Sequence, residues 1–477
     1  AENPFCYGIQ WGNAMEAAIR ACNWIAGAAF FLEEKTLDRR FWEKFLVSLW
    51  RHGSFIENNL EITRRSGNHL IADYTGLAFI GNFFLHTKRG KHWLHIGVSG
   101  IEEEILRQTS LDGVDYEKSI SYHRFVAEMC LSVMLLCKHA HKNFSTAAAE
   151  RIEKMCEFTM HYSRNDHSVP NIGDADNGRL LRFRAKENFN EHTALLSTAA
   201  VVFERSDFKK AAEYFSEDSL WLLGTAGLEK FRALDDSAVV RSKDFPAGGF
   251  YCMRSDKAHC IADTGELGKN GWGGHGHNDT LSFEYWFGEQ FIVDSGTFCY
   301  LSDAEQRTYF RSTAAHNTLM IDETEIAEFT GPFKIAADLT QPKIIQWSTS
   351  SEHDVLEAEH YAYTRLSDPV IHRRKIVFNK TTHRLDITDT ISGKGTHTIA
   401  FPLHFAPGAR VEQKEKNIIH LIGTKNSLAI ASSHELQLTP CEISESYGVK
   451  VRSTLAHCIV RTNCPVIIET NISPILQ

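Results

Sequence analysis

No stretch of this 477-residue chain is a continuous apolar run of the ~18–20 residues that a membrane-spanning helix needs. The longest candidate, residues 24–32, is short and sits in an amphipathic helical pattern. There is no C-x-x-C pair, so the eleven cysteines fit neither a thiolate zinc site nor a regular disulfide framework. They are scattered and odd in number, which reads as small buried hydrophobes and leans toward a reducing compartment. No P-loop, G-x-S-x-G or H-E-x-x-H motif occurs, and this removes the commonest nucleotide, serine-hydrolase and metalloprotease signatures. An excess of positive charge is also missing. The 51 basic residues face 60 acidic ones, for a net charge of −9, which argues against a general nucleic-acid coat while leaving room for a local basic groove. The chain begins at Ala1 without a methionine and without a leader pattern, which leaves export open.

What is present is globular: 43% hydrophobic and 23% charged residues, in a chain long enough for two to four units or for one repeat array plus a partner. Its two halves differ in period. Residues 11–32, 41–50, 69–84, 93–107, 120–141, 147–163 and 191–203 carry apolar side chains at three- and four-residue spacing, the mark of amphipathic helices. Short polar linkers at 64–67, 88–91 and 111–113 break them into helical hairpins, although no strict repeat is visible. From about residue 245 the period becomes two. The segments 250–254, 281–287, 291–294, 371–378, 385–391, 427–431 and 458–462 predict strands separated by Gly, Asn, Asp and Ser turns. Helices first and strands second predict two architectures, 1–240 and 241–477, with antiparallel sheets in the second and a junction at 234–244.

Four clusters place polar residues where a scaffold alone has no need of them. In Arg64-Arg65-Ser66-Gly67-Asn68-His69, Asn68 fits a helix N-cap equally with an amide and imidazole at a helix start, where an anion binds well. Glu117–Arg124, containing Ser121-Tyr122-His123-Arg124, begins a helix after the Asp112-Gly113 turn; Tyr122 alone reads as a packing residue. Gly271-Trp272-Gly273-Gly274-His275-Gly276-His277-Asn278-Asp279 has a backbone that a ligand can approach closely, or is a glycine turn braced by two histidines. Asp294 interrupts an apolar strand, and a buried carboxylate needs a partner. His277, Asp294 and His316 have the residue types of a three-ligand zinc-type site. The acidic, turn-rich stretch 170–179 lacks the full calcium-loop pattern and reads as a structured loop on a cleft rim; Arg179, Arg182, Arg184 and Lys186 after it fit anion binding or a solvated face.

Taken in order, Asn68-His69, Tyr122, the Gly-His-Gly-His-Asn-Asp run at 274–279, Asp294-Ser-Gly and Arg311-Ser-Thr-Ala-Ala-His316-Asn-Thr resemble the heparinase II/III-like polysaccharide lyases, a group that also contains alginate lyases. The resemblance implies an α+β multidomain fold: an N-terminal (α/α) toroid of helical hairpins packed on a C-terminal antiparallel β-sandwich, with the site between them. Family members usually carry further helices upstream of the segment 11–32, so the resemblance implies a toroid shortened at its N-terminus. It implies β-elimination on a uronic-acid polysaccharide, with Asn68 and His69 at the uronate carboxylate, Tyr122 as proton donor to the leaving oxygen and His275 as the alternative base. Arg64, Arg65 and Arg311 would grip anionic groups. His277, Asp294 and His316 would hold a structural divalent metal of zinc type, with no organic cofactor. The partner is an anionic polysaccharide, not nucleic acid or membrane. The family includes exported enzymes, periplasmic or secreted, against the cytoplasmic lean of the cysteines. Two alternatives keep part of this pattern: a non-catalytic polysaccharide-binding protein, and a glycoside hydrolase on the same toroid using a carboxylate pair from Glu57, Glu61, Asp174 and Asp176.

Overall fold

The computed structural model describes residues 4–184 and 191–475. Helices occupy the first half: Ala14–Phe30, Arg39–Asn58, Asn68–Phe83, Lys88–Gln108, Ile120–His139, Thr146–Tyr162, Thr193–Phe203, Ser206–Ala212 and Glu217–Ala233. Asn68–Phe83 lies at the centre of this layer, packed against Ala14–Phe30, Lys88–Gln108 and Ile120–His139. Helix starts are set by short polar side chains, as capping chemistry requires. Asn13, Asp38, Thr87, Ser119, Ser145 and Ser216 each accept a backbone N–H from the first turn. The helix Ile120–His139 is long and apolar enough by composition to cross a membrane, a stretch that a search for unbroken apolar runs passes over. With 78% of its most apolar window buried, it is the core of the helical layer.

The last helix of the first half ends at Ala233 and the first strand opens at Lys243. The strands that follow are antiparallel. A five-stranded sheet runs in chain order from Lys243–Phe245 to Gln290–Ile292, and eight- and four-stranded sheets follow it. The five-stranded sheet is the middle layer, and its period-two pattern explains how. Phe250, Cys252 and Ile261 turn toward the helices and share a core with Phe158 and Tyr162. Their neighbours Tyr251, Met253, Cys260 and Ala262 turn the other way, into the core of the large sheets. Both faces are therefore buried, and the strands Phe250–Arg254, Ala258–Asp263 and Phe283–Phe287 have no exposed residue.

The polar residues on these strands are paired across the seam. The Arg164 guanidinium meets Glu284, whose second oxygen accepts the Asn171 N–H at 2.7 Å. The indole N–H of Trp286 donates to Asp166 at 2.9 Å. The strand segments expected at 371–378 and 385–391 lie within the hairpin Val370–Asn379 and Leu385–Gly393, and 458–462 lies within the longer strand Val449–Asn463. The helix Ala304–Arg311, inside the strand-rich half, and the helices Ser206–Ala212 and Glu217–Ala233 are not resolved as separate elements by sequence periodicity.

Candidate active site

Three segments distant in sequence meet where the helical layer faces the glycine-rich loop, and two buried carboxylates organise them. The first is Glu117. Its Oε1 accepts both the backbone N–H of Asn68 at 2.7 Å and the Asn68 side-chain Nδ2 at 3.0 Å. A carboxylate thus sits at the positive end of the helix Asn68–Phe83. Asn68 is the first helical residue; Gly67 holds the cap position and no side chain caps it. The N-cap reading of Asn68 is corrected accordingly. Its Oδ1 is buried and has no hydrogen-bond partner. On its other oxygen Glu117 faces Lys269 Nζ at 3.3 Å and His275 Nε2 at 3.5 Å. Burial alone would raise the Glu117 carboxyl, but Lys269, His275 and the two Asn68 donors reverse this and hold it below the usual carboxylate range.

The second carboxylate is Asp174. It is fully buried and accepts from His275 Nδ1 at 2.9 Å, from His277 Nε2 at 2.8 Å and from both terminal nitrogens of Arg307. Desolvation opposes its charge, but Arg307 and the two imidazoles outweigh that and keep it ionised. The stretch 170–179 therefore supplies an interior support of the site, not only a rim loop. Asp176, two residues on, accepts the Tyr122 hydroxyl at 2.8 Å.

Tyr122 stands on the first turn of Ile120–His139, where Ser119 Oγ accepts its N–H at 3.1 Å. The same Ser119 hydroxyl donates to the Asp174 carbonyl at 2.5 Å, so one cap fixes both the tyrosine and the acidic loop. The Tyr122 ring stacks on His275, with centroids 3.7 Å apart and planes 12° from parallel. Its hydroxyl also lies 3.1 Å from that of Tyr300. Burial, reinforced by Asp176, pushes the Tyr122 hydroxyl well above its ordinary range, so it is a held proton at neutral pH.

The two histidines are on a turn and not on a strand. Gly273 and Gly274 have φ of 89° and 65°, the left-handed region that glycine tolerates. His275 and His277 both reach Asp174, but on different oxygens. Beyond His277 lies the cluster His277, Asp294 and His316, all buried, with one potential ligand atom from each within 4.8 Å of the others. His316 Nδ1 is 2.6 Å from Asp294 Oδ2. His277 Nδ1 and His316 Nε2 are buried with no hydrogen-bond partner, as is Asp279 Oδ2. Asp263, Asp279 and Asp294 repel one another there, and burial followed by that repulsion pushes Asp279 well above its ordinary range. Two partnerless imidazole nitrogens beside the Asp294 carboxylate suit a divalent cation.

The remaining expected residues are more varied in placement. His69 Nδ1 pairs with Glu61 at 2.7 Å, and its side chain is 45% exposed. Arg64 is exposed. Arg65 is engaged across the seam: it donates to the carbonyls of Lys269 and Asn270, each at 2.7 Å, and lies over the Trp272 ring at 4.9 Å. Arg311 is buried, donating to the carbonyls of Gly331 and Pro332 and lying over Phe329 at 4.4 Å. Both arginines brace the loop region through part of their guanidinium, Arg311 keeping a buried Nε and Nη2 without a partner, and of the three only Arg64 is exposed. Arg182 and Arg184 are described and Lys186 lies outside the described residues; Arg184 pairs with Glu191 and Asp218. Of the carboxylates considered for hydrolysis, Glu57 pairs with Arg89, His92 and Trp93, and Glu61 with His69. Glu117, Lys269, Tyr300 and Arg307 carry no motif of their own. The one available signal for Glu117 was its place just before the Ser119 cap.

This chain is similar in sequence and fold to known proteins. It is 25% identical over 384 residues to a heparin-sulfate lyase of Bacteroides stercoris, covering 78% of this chain and 51% of that protein. It is 24% identical over 381 residues to a heparin-sulfate lyase of Pedobacter heparinus, covering 77% and 50%. This chain thus spans about half the length of the curated relatives it matches. The crystal structure of a heparan sulfate lyase from Pedobacter heparinus superposes with a TM-score of 0.70 at 20% identity, over 97% of this chain and 68% of that one. The fold is thus the helical toroid followed by antiparallel β-sheets. The description "Heparinase II/III N-terminus" matches residues 7–201 and "Heparinase II/III-like, C-terminal" matches residues 238–469, and the chain belongs to the heparinase II/III-like family.

Proposed function

We propose that this protein is a polysaccharide lyase that cleaves a uronic-acid-containing glycosaminoglycan by β-elimination, leaving a 4,5-unsaturated uronate at the new end. The observation that carries the reading is the meeting of Asn68, Tyr122 and His275 around Glu117 and Asp174, drawn from three separate segments. The heparin-sulfate lyase relatives make a heparan-type chain the first substrate to test.

The chemistry follows from the substrate. The proton at C5 of a uronate is weakly acidic, and its removal places charge on the adjacent carboxylate. A donor at that carboxylate stabilises the transition state more than the ground state. Asn68 takes this role. Glu117 fixes the amide through Nδ2 and leaves the remaining N–H for the substrate; His69 stands beside it. Tyr122, whose hydroxyl stays protonated, donates to the departing glycosidic oxygen. His275 serves as the base at C5. Asp174, holding Nδ1, selects the tautomer whose Nε2 is bare. Arg64 attracts anionic groups at the entrance, Arg65 holds the Lys269–Asn270 backbone that leads into the loop carrying His275, and Arg311 holds the Gly331–Pro332 turn.

His277, Asp294 and His316 would hold a divalent ion of zinc type, whose contribution is to neutralise buried carboxylate charge and stiffen this wall of the cleft. The division of the chain is proposed at residue 240, within the linker that joins the last helix to the first strand.

The hydrolase alternative needs two free carboxyls flanking the bond. Asp174 is saturated by Arg307 and two imidazoles, Asp176 takes the Tyr122 hydroxyl, and Glu57 and Glu61 have basic partners of their own. Incubating the protein with heparan sulfate, hyaluronan, chondroitin sulfate and alginate tests the proposal. A rise in ultraviolet absorbance from unsaturated uronate with at least one glycosaminoglycan is expected; new reducing ends without that absorbance would overturn it.

A further inference from the structure

We propose that Asp174 is a positioning residue that couples the orientation of His275 to the His277/Asp294/His316 cluster, so that a divalent cation bound there sets the imidazole of His275. The inference deepens the lyase reading, on which the role of His275 rests, but the coupling itself is a structural property that can be measured without substrate.

The argument starts from what an ionised carboxylate can do. It only accepts hydrogen bonds. Asp174 Oδ2 accepts from His275 Nδ1, so that nitrogen carries a proton and Nε2 is the edge turned to Glu117 Oε2, 3.5 Å away. Asp174 Oδ1 accepts from His277 Nε2, so the proton there is on Nε2 and the lone pair is on Nδ1. His277 Nδ1 is the buried atom left without a partner beside Asp294 and His316. A single carboxylate therefore orients both the His275 ring that faces Glu117 and the bare His277 nitrogen available to a cation.

Asp174 has little freedom to do otherwise. Arg307 engages both of its oxygens, its N–H donates to the His275 carbonyl at 2.8 Å, and Ser119 donates to its own carbonyl. Gly173 before it has φ of 70°, and a Cβ there would lie 2.6 Å from the Lys118 carbonyl oxygen. With the carboxylate held this firmly, the two imidazoles compete for the same charge. A cation on His277 Nδ1 makes Nε2–H a stronger donor to Asp174, and the hold of Asp174 on His275 changes in step. Coupling of this kind is reciprocal, so the state of His275 must also alter cation affinity.

Ring-labelled histidine NMR, with the His275 signals assigned from His275→Gln, reads this directly. Chelator-treated protein is titrated with zinc, and bound metal is quantified by elemental analysis. In the wild type, zinc is expected to shift the His275 ring nitrogens, with the Nδ1–H bond to Asp174 weakened as His277 takes more of the carboxylate's charge. In Asp174→Asn, zinc affinity is expected to fall 10–100-fold, the usual effect of losing such an outer partner. At saturating zinc in that variant the His275 signals should stay where they were. Wild-type His275 signals indifferent to zinc, a wild type that takes no zinc, or a response that survives in Asp174→Asn would each overturn the coupling. The wild-type titration alone keeps it falsifiable if the variant does not fold. Absence of lyase activity alongside the expected NMR response would reject the lyase reading and leave the coupling intact.

Discussion

At the scale of single residues, the site is built from groups whose partners fix their protons. Tyr122 is the sharpest case. It is buried, stacked on His275 and hydrogen-bonded to Asp176, so its hydroxyl holds its proton through the neutral range. Replacing Tyr122 by Phe removes that proton and keeps the ring that packs on His275. The variant is expected to lose about 10²–10⁴ in kcat while its melting temperature stays within a few degrees of wild type; steady-state kinetics beside a thermal melt checks both. Wild-type kcat would remove Tyr122 from the chemistry. Sequence reading singled out Asn68, Tyr122, His275 and the His/Asp/His set because each falls in an ordered run of motifs, and the fold brings them near one another. It bounded a cluster at Glu117 without giving it a role and weighed Asp174 only as a hydrolase carboxylate, because a lone carboxylate in a turn has no periodicity, and only the folded chain reveals what it accepts from.

Among the elements, the middle sheet does the most to hold the two halves in register. Its strands are buried on both faces, and their alternation sends one set of side chains to each core. A strand buried on both sides must also pair every polar group it carries. Glu284 does so with Arg164, from the turn after the helix Thr146–Tyr162. Burial raises the Glu284 carboxyl to about 6 even with Arg164 beside it, so the pair is costly to break. Arg164→Leu is expected to destabilise the protein by about 3–5 kcal/mol, since it leaves a buried carboxylate alone; adding Glu284→Leu should restore much of that loss. Denaturant unfolding of both single variants and of the double checks the cycle, and additive losses would contradict it. Period changes in the sequence identified the helical and strand halves well. They missed the helices Ser206–Ala212 and Ala304–Arg311, which are short and amphipathic for barely two turns, too few for a period to declare itself.

For the molecule as a whole, the arrangement makes sense as a device for bringing distant segments together. The helical layer contributes Asn68 and Tyr122, the strand-rich half contributes His275, and Glu117 and Asp174 from the helical half hold the histidine-bearing loop in place. The net charge of −9 is compatible with an anionic substrate because attraction can be local: Lys269 and Arg307 offset the buried Glu117 and Asp174, and Arg64 is exposed. The order of architectures was legible from hydrophobic period and the family resemblance from motif order, whereas the contacts joining them belong to tertiary structure. The central claim is that bond cleavage here is an elimination. Cleavage carried out in water enriched in heavy oxygen, followed by mass spectrometry of the products, tests it most directly. Elimination takes no oxygen from solvent, so both fragments should be free of the label at the cleaved bond and one should be lighter than the hydrolysis product by one water. Heavy oxygen incorporated at the new reducing end, with no dehydrated fragment, would contradict the account.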